Sequence, residues 1–275
     1  MEAGKQDKTH NKDATCHFNG PVALITGASS GIGVHYAKEL AKRGYNIIII
    51  SNQELEIKKI AAEITASTGV ESVGVYKDLA APGAAEDLFA LYPAIEVLVN
   101  NAGIFFYKDM IDCNMSRIET ILNLHMVTVT KLCRLYGEQM RSAGKGYILN
   151  MSSISVHTPF PGISLYTATK SYIRTFSKAF HYEMKGYGVK VLIVSPGAVA
   201  TDLYSLPANL QKLGIKLGVI YRPDKLAKRA LDKLFNSSKT EFIPGVINRF
   251  FKPIYALLST SFKMWVRKKT LHFMK

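Results

Sequence analysis

Cysteine is scarce in this chain: Cys16, Cys113 and Cys133 stand far apart, in no CxxC pair and beside no histidine at metal-ligand spacing. That excludes a disulfide framework and a structural zinc site, so free thiols in a reducing compartment and no metal are expected. Long apolar runs are also missing. A spanning helix needs about eighteen apolar residues, and Arg249, Lys252, Pro253 and Lys263 interrupt the best candidate. The first residues hold no apolar core of signal-peptide length, so no secretory signal is expected. Asp and Glu are absent from residues 242–275, which carry Arg249, Lys252, Lys263, Arg267, Lys268, Lys269 and Lys275. Those seven side chains equal half of the formal net charge of +14. No nucleic-acid-binding motif accompanies them, so no nucleic-acid partner is expected.

What remains is an ordinary globular balance over 275 residues, 48% hydrophobic and 20% charged. That suits one large α/β domain with a substantial core. Residues 1–19 are mostly polar and predict a solvated, flexible arm. The domain itself is expected over 20–242, with a basic amphipathic extension over 243–275.

Short apolar runs alternate with helix-length amphipathic segments. The runs Val22–Thr26, Asn46–Ser51, Ser72–Tyr76, Ile95–Val99, Tyr147–Met151 and Val189–Val194 lack period-two alternation, which predicts strands buried on both faces. Between them, Val34–Arg43, Leu55–Ser67 and Ser116–Arg141 place apolar residues at helical spacing. Alternation of this kind predicts right-handed crossovers and a doubly wound parallel sheet of the Rossmann type.

The first strand runs into Thr26-Gly27-Ala28-Ser29-Ser30-Gly31-Ile32-Gly33 and then a helix. Glycines there let the backbone turn tightly and approach a pyrophosphate seated on free N–H groups at the helix N-terminus. Ser29 and Ser30 add hydroxyls for phosphate or ribose. The spacing is GxxxGxG rather than GxGxxG.

Tyr166 and Lys170 lie one helical turn apart and share a face. A tyrosine hydroxyl ordinarily ionises near pH ~10, and a neighbouring ammonium brings it toward working pH by stabilising the phenolate. Ser153, at the end of the fifth strand, can offer a hydroxyl to a substrate carbonyl. Ser152 and Ser155 compete for that role.

Together with Asn100-Asn101-Ala102-Gly103 after the fourth strand and Ser195-Pro196-Gly197 after the sixth, these motifs resemble the short-chain dehydrogenase/reductase family over about Gly20–Thr201. The resemblance implies a nicotinamide dinucleotide cradled by Gly27, Ser29, Ser30, Gly31, Ile32 and Gly33, with Asn101, Ala102 and Gly103 beside it. It implies an acid–base role for Tyr166, with Lys170 also holding the nicotinamide ribose. Ser153 is favoured over its neighbours as the carbonyl's partner, and Asn123 is expected to hold a relay water. Pro196, Gly197, Val199 and Thr201 should border the nicotinamide, and Asp78 should meet the adenine. His125 is expected to point elsewhere on its helix, as a structural residue. Members that prefer NAD(H) would carry an acid near Ser51; here Ser51 and Asn52 are neutral, which favours NADP(H) over NAD(H). Relatives are often homo-oligomers.

Beyond Thr201 the motifs end and an apolar stretch follows, with Leu203, Leu206, Leu210, Leu213, Ile215, Leu217, Val219 and Ile220. Thr158-Pro159-Phe160-Pro161-Gly162 would add a second apolar wall. The tail places Phe250, Phe251, Tyr255, Leu257, Leu258, Phe262, Trp265 and Leu271 among basic residues. The arrangement is most similar to the family's lipid- and steroid-ketone reductases, and implies a hydrophobic substrate and a cytoplasmic enzyme resting on a membrane surface. The alternatives are a sugar or small-polyol dehydrogenase, which the apolar stretch disfavours, and a non-catalytic dinucleotide-binding scaffold. A missing Tyr, Lys or Ser would have favoured the scaffold.

Overall fold

In the computed structural model, the residues described are 18–158, 160–201, 203, 207–245 and 259–270. Expectations for residues 1–17, for Pro159 and Leu206, and for Phe250, Phe251, Tyr255, Leu257, Leu258 and Leu271 lie outside them.

Seven parallel strands form one sheet in the order β3-β2-β1-β4-β5-β6-β7. They are β1 (Val22–Thr26), β2 (Asn46–Ser51), β3 (Ser72–Tyr76), β4 (Val97–Asn100), β5 (Gly146–Met151), β6 (Val189–Val194) and β7 (Glu241–Phe242). Successive strand residues feed opposite cores because the side-chain period is two. Ala23 and Ile25 face helices α1 (Gly31–Ala41), α2 (Glu54–Thr68) and α8 (Pro223–Asn236). Val22 and Leu24 face α3 (Ala84–Leu91), α5 (Thr128–Ala143) and α6 (Ser164–Met184). This is the doubly wound, Rossmann-type fold expected from the alternating runs. The strand order reverses between β1 and β4, and the carboxyl ends of those strands open the crevice in which such sheets bind ligands.

Three details differ from the sequence expectation. β3 is an edge strand and only half-buried rather than covered on both faces. Its Gly74 lies against α2, where an added Cβ would come within 2.8 Å of the Ile57 backbone. β7 is two residues long, too short to leave a pattern, and is tied down from its neighbours. Arg174 grips Glu241 with two hydrogen bonds of 2.9 and 2.8 Å, and Ser195 Oγ donates to the same carboxylate at 2.7 Å. Finally, the expected helix Ser116–Arg141 is two helices, α4 (Met115–Leu122) and α5, joined by a π-helical turn at Asn123–Val127.

Two shorter helices follow the core: α7 (Ala208–Lys216) before α8, and α9 (Thr260–Thr270) in the basic extension. Arg267 of α9 is ion-paired with Asp109, in the loop after β4. No described helix is long and apolar enough to cross a membrane.

Candidate active site

At the end of β1, Thr26 Oγ1 accepts hydrogen bonds from the N–H groups of Asn101 and Ala102, both at 3.0 Å. Asn101 Nδ2 returns two, to the carbonyls of Thr26 and Gly27, each 3.0 Å. These bonds pin the glycine turn to the segment after β4. Gly27 has φ +66°, and a Cβ there would lie 2.6 Å from Ala102 Cα. At Gly33 a Cβ would lie 2.2 Å from the Gly27 carbonyl oxygen, so any side chain would push the turn off the helix. Ser30 is the extended N-cap of α1, yet no side chain caps this helix and no acid stands in its first turn. Its leading N–H groups are therefore left for an anionic ligand, as a pyrophosphate requires.

A cleft of about 410 Å³ runs from this turn across the crevice. Sixteen of the residues expected at the cofactor line it: Gly27, Ser29, Ser30, Gly31, Ile32, Ser51, Asn52, Asp78, Asn101, Ala102, Gly103, Tyr166, Lys170, Pro196, Val199 and Thr201. Gly33 and Gly197, also expected there, do not line it. At the far end from Tyr166, Ser51 Oγ donates to Ser29 Oγ at 2.9 Å. Asp78 accepts from the Ala80 N–H at 2.9 Å, so its carboxylate both shapes the turn after β3 and borders the cleft. Lys77 borders it too, paired with Asp87 at 2.5 Å. Lys77 is not among the residues the sequence marked for the cofactor, because it follows the third strand and belongs to none of the motifs.

Tyr166 and Lys170 stand together on the opposite wall, each 6% exposed. The Phe105 ring meets Tyr166 edge-on, with centroids 5.1 Å apart. Lys170 Nζ lies 5.8 Å from the Tyr166 ring centroid and donates to the Met151 carbonyl at 3.0 Å. Burial pushes its ammonium down to about 8. The three serines after β5 separate by their bonds. Ser152 Oγ donates to the Lys170 carbonyl at 2.9 Å, which commits it to holding α6. Ser153 Oγ accepts from the Ser155 N–H at 3.2 Å as the N-cap of a short 3₁₀ turn, and so keeps its own proton to give. Ser155 Oγ is buried and has no hydrogen-bond partner among the described residues. Ser153 is buried and follows Met151 and Ser152, which line the cleft, but does not line it itself.

His125, expected to point elsewhere on its helix, lies beside the catalytic pair instead. Two residues apart on a helix lie about 200° apart around its axis, so only one of Asn123 and His125 can turn toward Tyr166 and Lys170. His125 is the one beside the pair, buried with its ring 6.0 Å from the Tyr166 ring at 74°, although it does not line the cleft itself. Asn123 is half-buried and outside the cleft wall, so the structure does not bring it to the pair.

Leu203 also lines the cleft. Beyond it α7 and the turn after it expose Leu210, Leu213, Leu217 and Val219, between 46% and 63% each.

The family profile of the short chain dehydrogenases matches residues 21–209, more than half of the chain. This chain belongs to the short-chain dehydrogenase family. Among related dehydrogenases, the very-long-chain 3-oxoacyl-CoA reductase of Anas platyrhynchos is 37% identical over 195 residues, 67% of this chain and 61% of that protein. The 17-beta-hydroxysteroid dehydrogenase type 3 of Mus musculus is 32% identical over 192 residues, 67% and 62% respectively. The chain thus matches a little over three fifths of the length of these relatives. Among solved short-chain dehydrogenases, a structure described for 7beta-hydroxysteroid dehydrogenase stereoselectivity superposes with a TM-score of 0.80 at 25% identity, covering 93% of this chain and 96% of that one. A short-chain dehydrogenase from Sphingobium yanoikuyae, in complex with NADPH, gives 0.74 at 25% identity, covering 87% and 97%.

Proposed function

We propose that this chain is an NADPH-dependent reductase that converts a ketone on a lipid-like substrate into a secondary alcohol. The observation that carries the reading is the buried Tyr166–Lys170 pair facing a cleft whose other end is the uncapped α1 N-terminus. A bound nicotinamide cofactor supplies the hydride. Tyr166 gives its hydroxyl proton to the carbonyl oxygen while Ser153 donates a hydrogen bond to it. The Lys170 ammonium stabilises the phenolate left behind and holds the ribose hydroxyls. The glycine turn and α1 seat the phosphates, and Pro196, Val199 and Thr201 back the nicotinamide. The same groups working in reverse oxidise the alcohol.

Cofactor choice rests on the adenosine end. Ser51 and Asn52 are neutral, so no acid at the end of β2 repels a ribose 2′-phosphate, and Lys77, paired with Asp87, stands in the same wall. Titration of the purified protein should give tighter binding of NADPH than of NADH. Ser51→Asp should reverse that order, with an expected swing of about 10- to 100-fold, or roughly 1.4 to 2.8 kcal/mol. Tighter NADH binding by the wild type would remove the NADP assignment.

The lipid-like substrate is supported by the exposed apolar row on and after α7 and by the activities named for the curated relatives. The same reading places the enzyme in the cytoplasm at a membrane surface. On α9, Phe262, Met264 and Trp265 are 46–58% exposed beside Lys263 and Lys268, a composition that suits an anionic interface. The protein should float with vesicles containing phosphatidylserine and not with pure phosphatidylcholine, and Trp265→Glu should weaken flotation. Equal behaviour of both vesicles, or of both proteins, would rule out this docking mode.

A further inference from the structure

His125 does more than fill space beside the catalytic pair. Its two ring nitrogens each have a defined partner. Nε2 accepts from the Ile104 N–H at 3.1 Å, so that nitrogen carries no proton. The ring proton then sits on Nδ1, which faces Thr169 Oγ1 at 3.0 Å. Thr169 Oγ1 in turn donates to the Tyr166 carbonyl at 2.9 Å. The bonds run in one direction, from the segment after β4 through the imidazole to the first turns of α6. That direction admits a single neutral tautomer.

The site is shaped to let the ring in. A Cβ on Gly103 would lie 3.0 Å from His125 Nε2 and 3.6 Å from Lys170 Nζ, so the bare backbone there lets imidazole and ammonium share one space. The π-helical turn Asn123–Val127 sets the phase that aims His125 inward, and such turns recur at functional sites. The titratable groups facing the ring are Tyr166 and Lys170, both on α6. The charged groups on the other elements packed against this turn are engaged elsewhere. On α4, Arg117 lies over the Phe106 ring and Glu119 is exposed; on α5, Lys131 pairs with Glu86.

We propose that His125, neutral and protonated on Nδ1, is a positioning residue that ties the cofactor-side segment Gly103–Ile104 to the turn of α6 carrying Tyr166 and Lys170. It touches neither the hydride nor the carbonyl; it sets where the acid stands relative to the cofactor cleft. Protonating Nε2 would replace the acceptor with a second donor facing the Ile104 N–H, and would set a second positive charge beside Lys170. Burial and the Lys170 charge both oppose that step and hold the imidazole well below its ordinary value. The link therefore holds at neutral pH and breaks on the acid side of the ordinary histidine value of about 6.5.

The inference rests on the reductase reading, and two measurements keep the two separable. The first needs no activity: ¹⁵N NMR of the full-length protein, with the His125 signals assigned by their loss in His125→Gln. It should show Nδ1 protonated and Nε2 bare from pH 8 down to about 6.5. A protonated Nε2 or a doubly protonated ring in that range would overturn the proposal, whether or not a substrate is known. The second compares ketone reduction by wild type, His125→Leu and His125→Gln. His125→Leu should lose about 10- to 100-fold in kcat, the scale of a misplaced catalytic group, with NADPH affinity within about twofold of wild type. His125→Gln, which can accept from Ile104 at the Nε2 position but does not titrate, should recover part of kcat and lose the acid limb of the pH profile. Wild-type kcat in His125→Leu, or an unchanged acid limb in His125→Gln, would overturn the positioning role. If His125→Leu fails to fold, His125→Gln and the tautomer measurement decide.

Discussion

Tyr166→Phe should lower ketone reduction by about 10³-fold while leaving NADPH affinity within about twofold of wild type. The substitution removes one oxygen from a ring whose place is already set by Phe105 and His125, so packing is conserved and the proton donor is not. Losses of general acid–base catalysis usually fall between about 10² and 10⁴. The partner of this result is a pH profile. The Lys170 ammonium, pushed down to about 8 by burial, is charged below that value and neutral above it. As pH rises through about 8, the phenolate formed during reduction loses its stabilising charge and the wild-type rate should fall. Stopped-flow measurement of NADPH consumption in both proteins checks the pair of expectations. Undiminished turnover by Tyr166→Phe would remove Tyr166 from the chemistry.

The second large effect belongs to the other end of the cleft. Gly33→Ala should abolish measurable cofactor binding, with a loss of at least about tenfold in affinity and a cost of about 1–3 kcal/mol in stability from overpacking. The reason is geometric: the new Cβ would sit 2.2 Å from the Gly27 carbonyl oxygen and 2.7 Å from Asn101 Nδ2. Both contacts belong to the hydrogen-bonded turn that shapes the phosphate seat. Gly83→Ala is the matching control. Gly83 has φ +79° with open space around it, so alanine there should strain the backbone by about 1–2 kcal/mol and leave NADPH binding unchanged. Fluorescence titration with NADPH, together with thermal melts, separates the two. Equal NADPH affinity in Gly33→Ala and wild type would mean the glycine turn does not hold the phosphates.

Much of this architecture is legible in the residues themselves. Runs such as Asn46-Ile47-Ile48-Ile49-Ile50 carry no period-two alternation because both faces of β2 are covered. The glycine turn is legible because its spacing answers to backbone contacts that no other residue permits. What stayed hidden depended on phase and distance. Asn123 and His125 are both polar residues in an apolar helix pattern, and which of them turns toward Tyr166 and Lys170 is set by the turn joining α4 to α5. That π-helical turn leaves no mark in the hydrophobic period. Residues distant in sequence decide the rest. β7 exists because Arg174 and Ser195 hold Glu241, and Lys77 reaches the cleft from the end of a strand two places away from β1. The apolar row beyond Leu203 was readable as hydrophobic, while its exposure on the surface required the placement of α7.

The most direct test of the account is NADPH oxidation by the purified protein, followed at 340 nm, against a panel of long-chain 3-oxoacyl thioesters, ketosteroids and small sugars. The account predicts turnover on at least one lipid-like ketone, its near-complete loss in Tyr166→Phe, and little or none on the sugars. Turnover confined to sugars, or NADPH binding without turnover on any ketone in the panel, would contradict it.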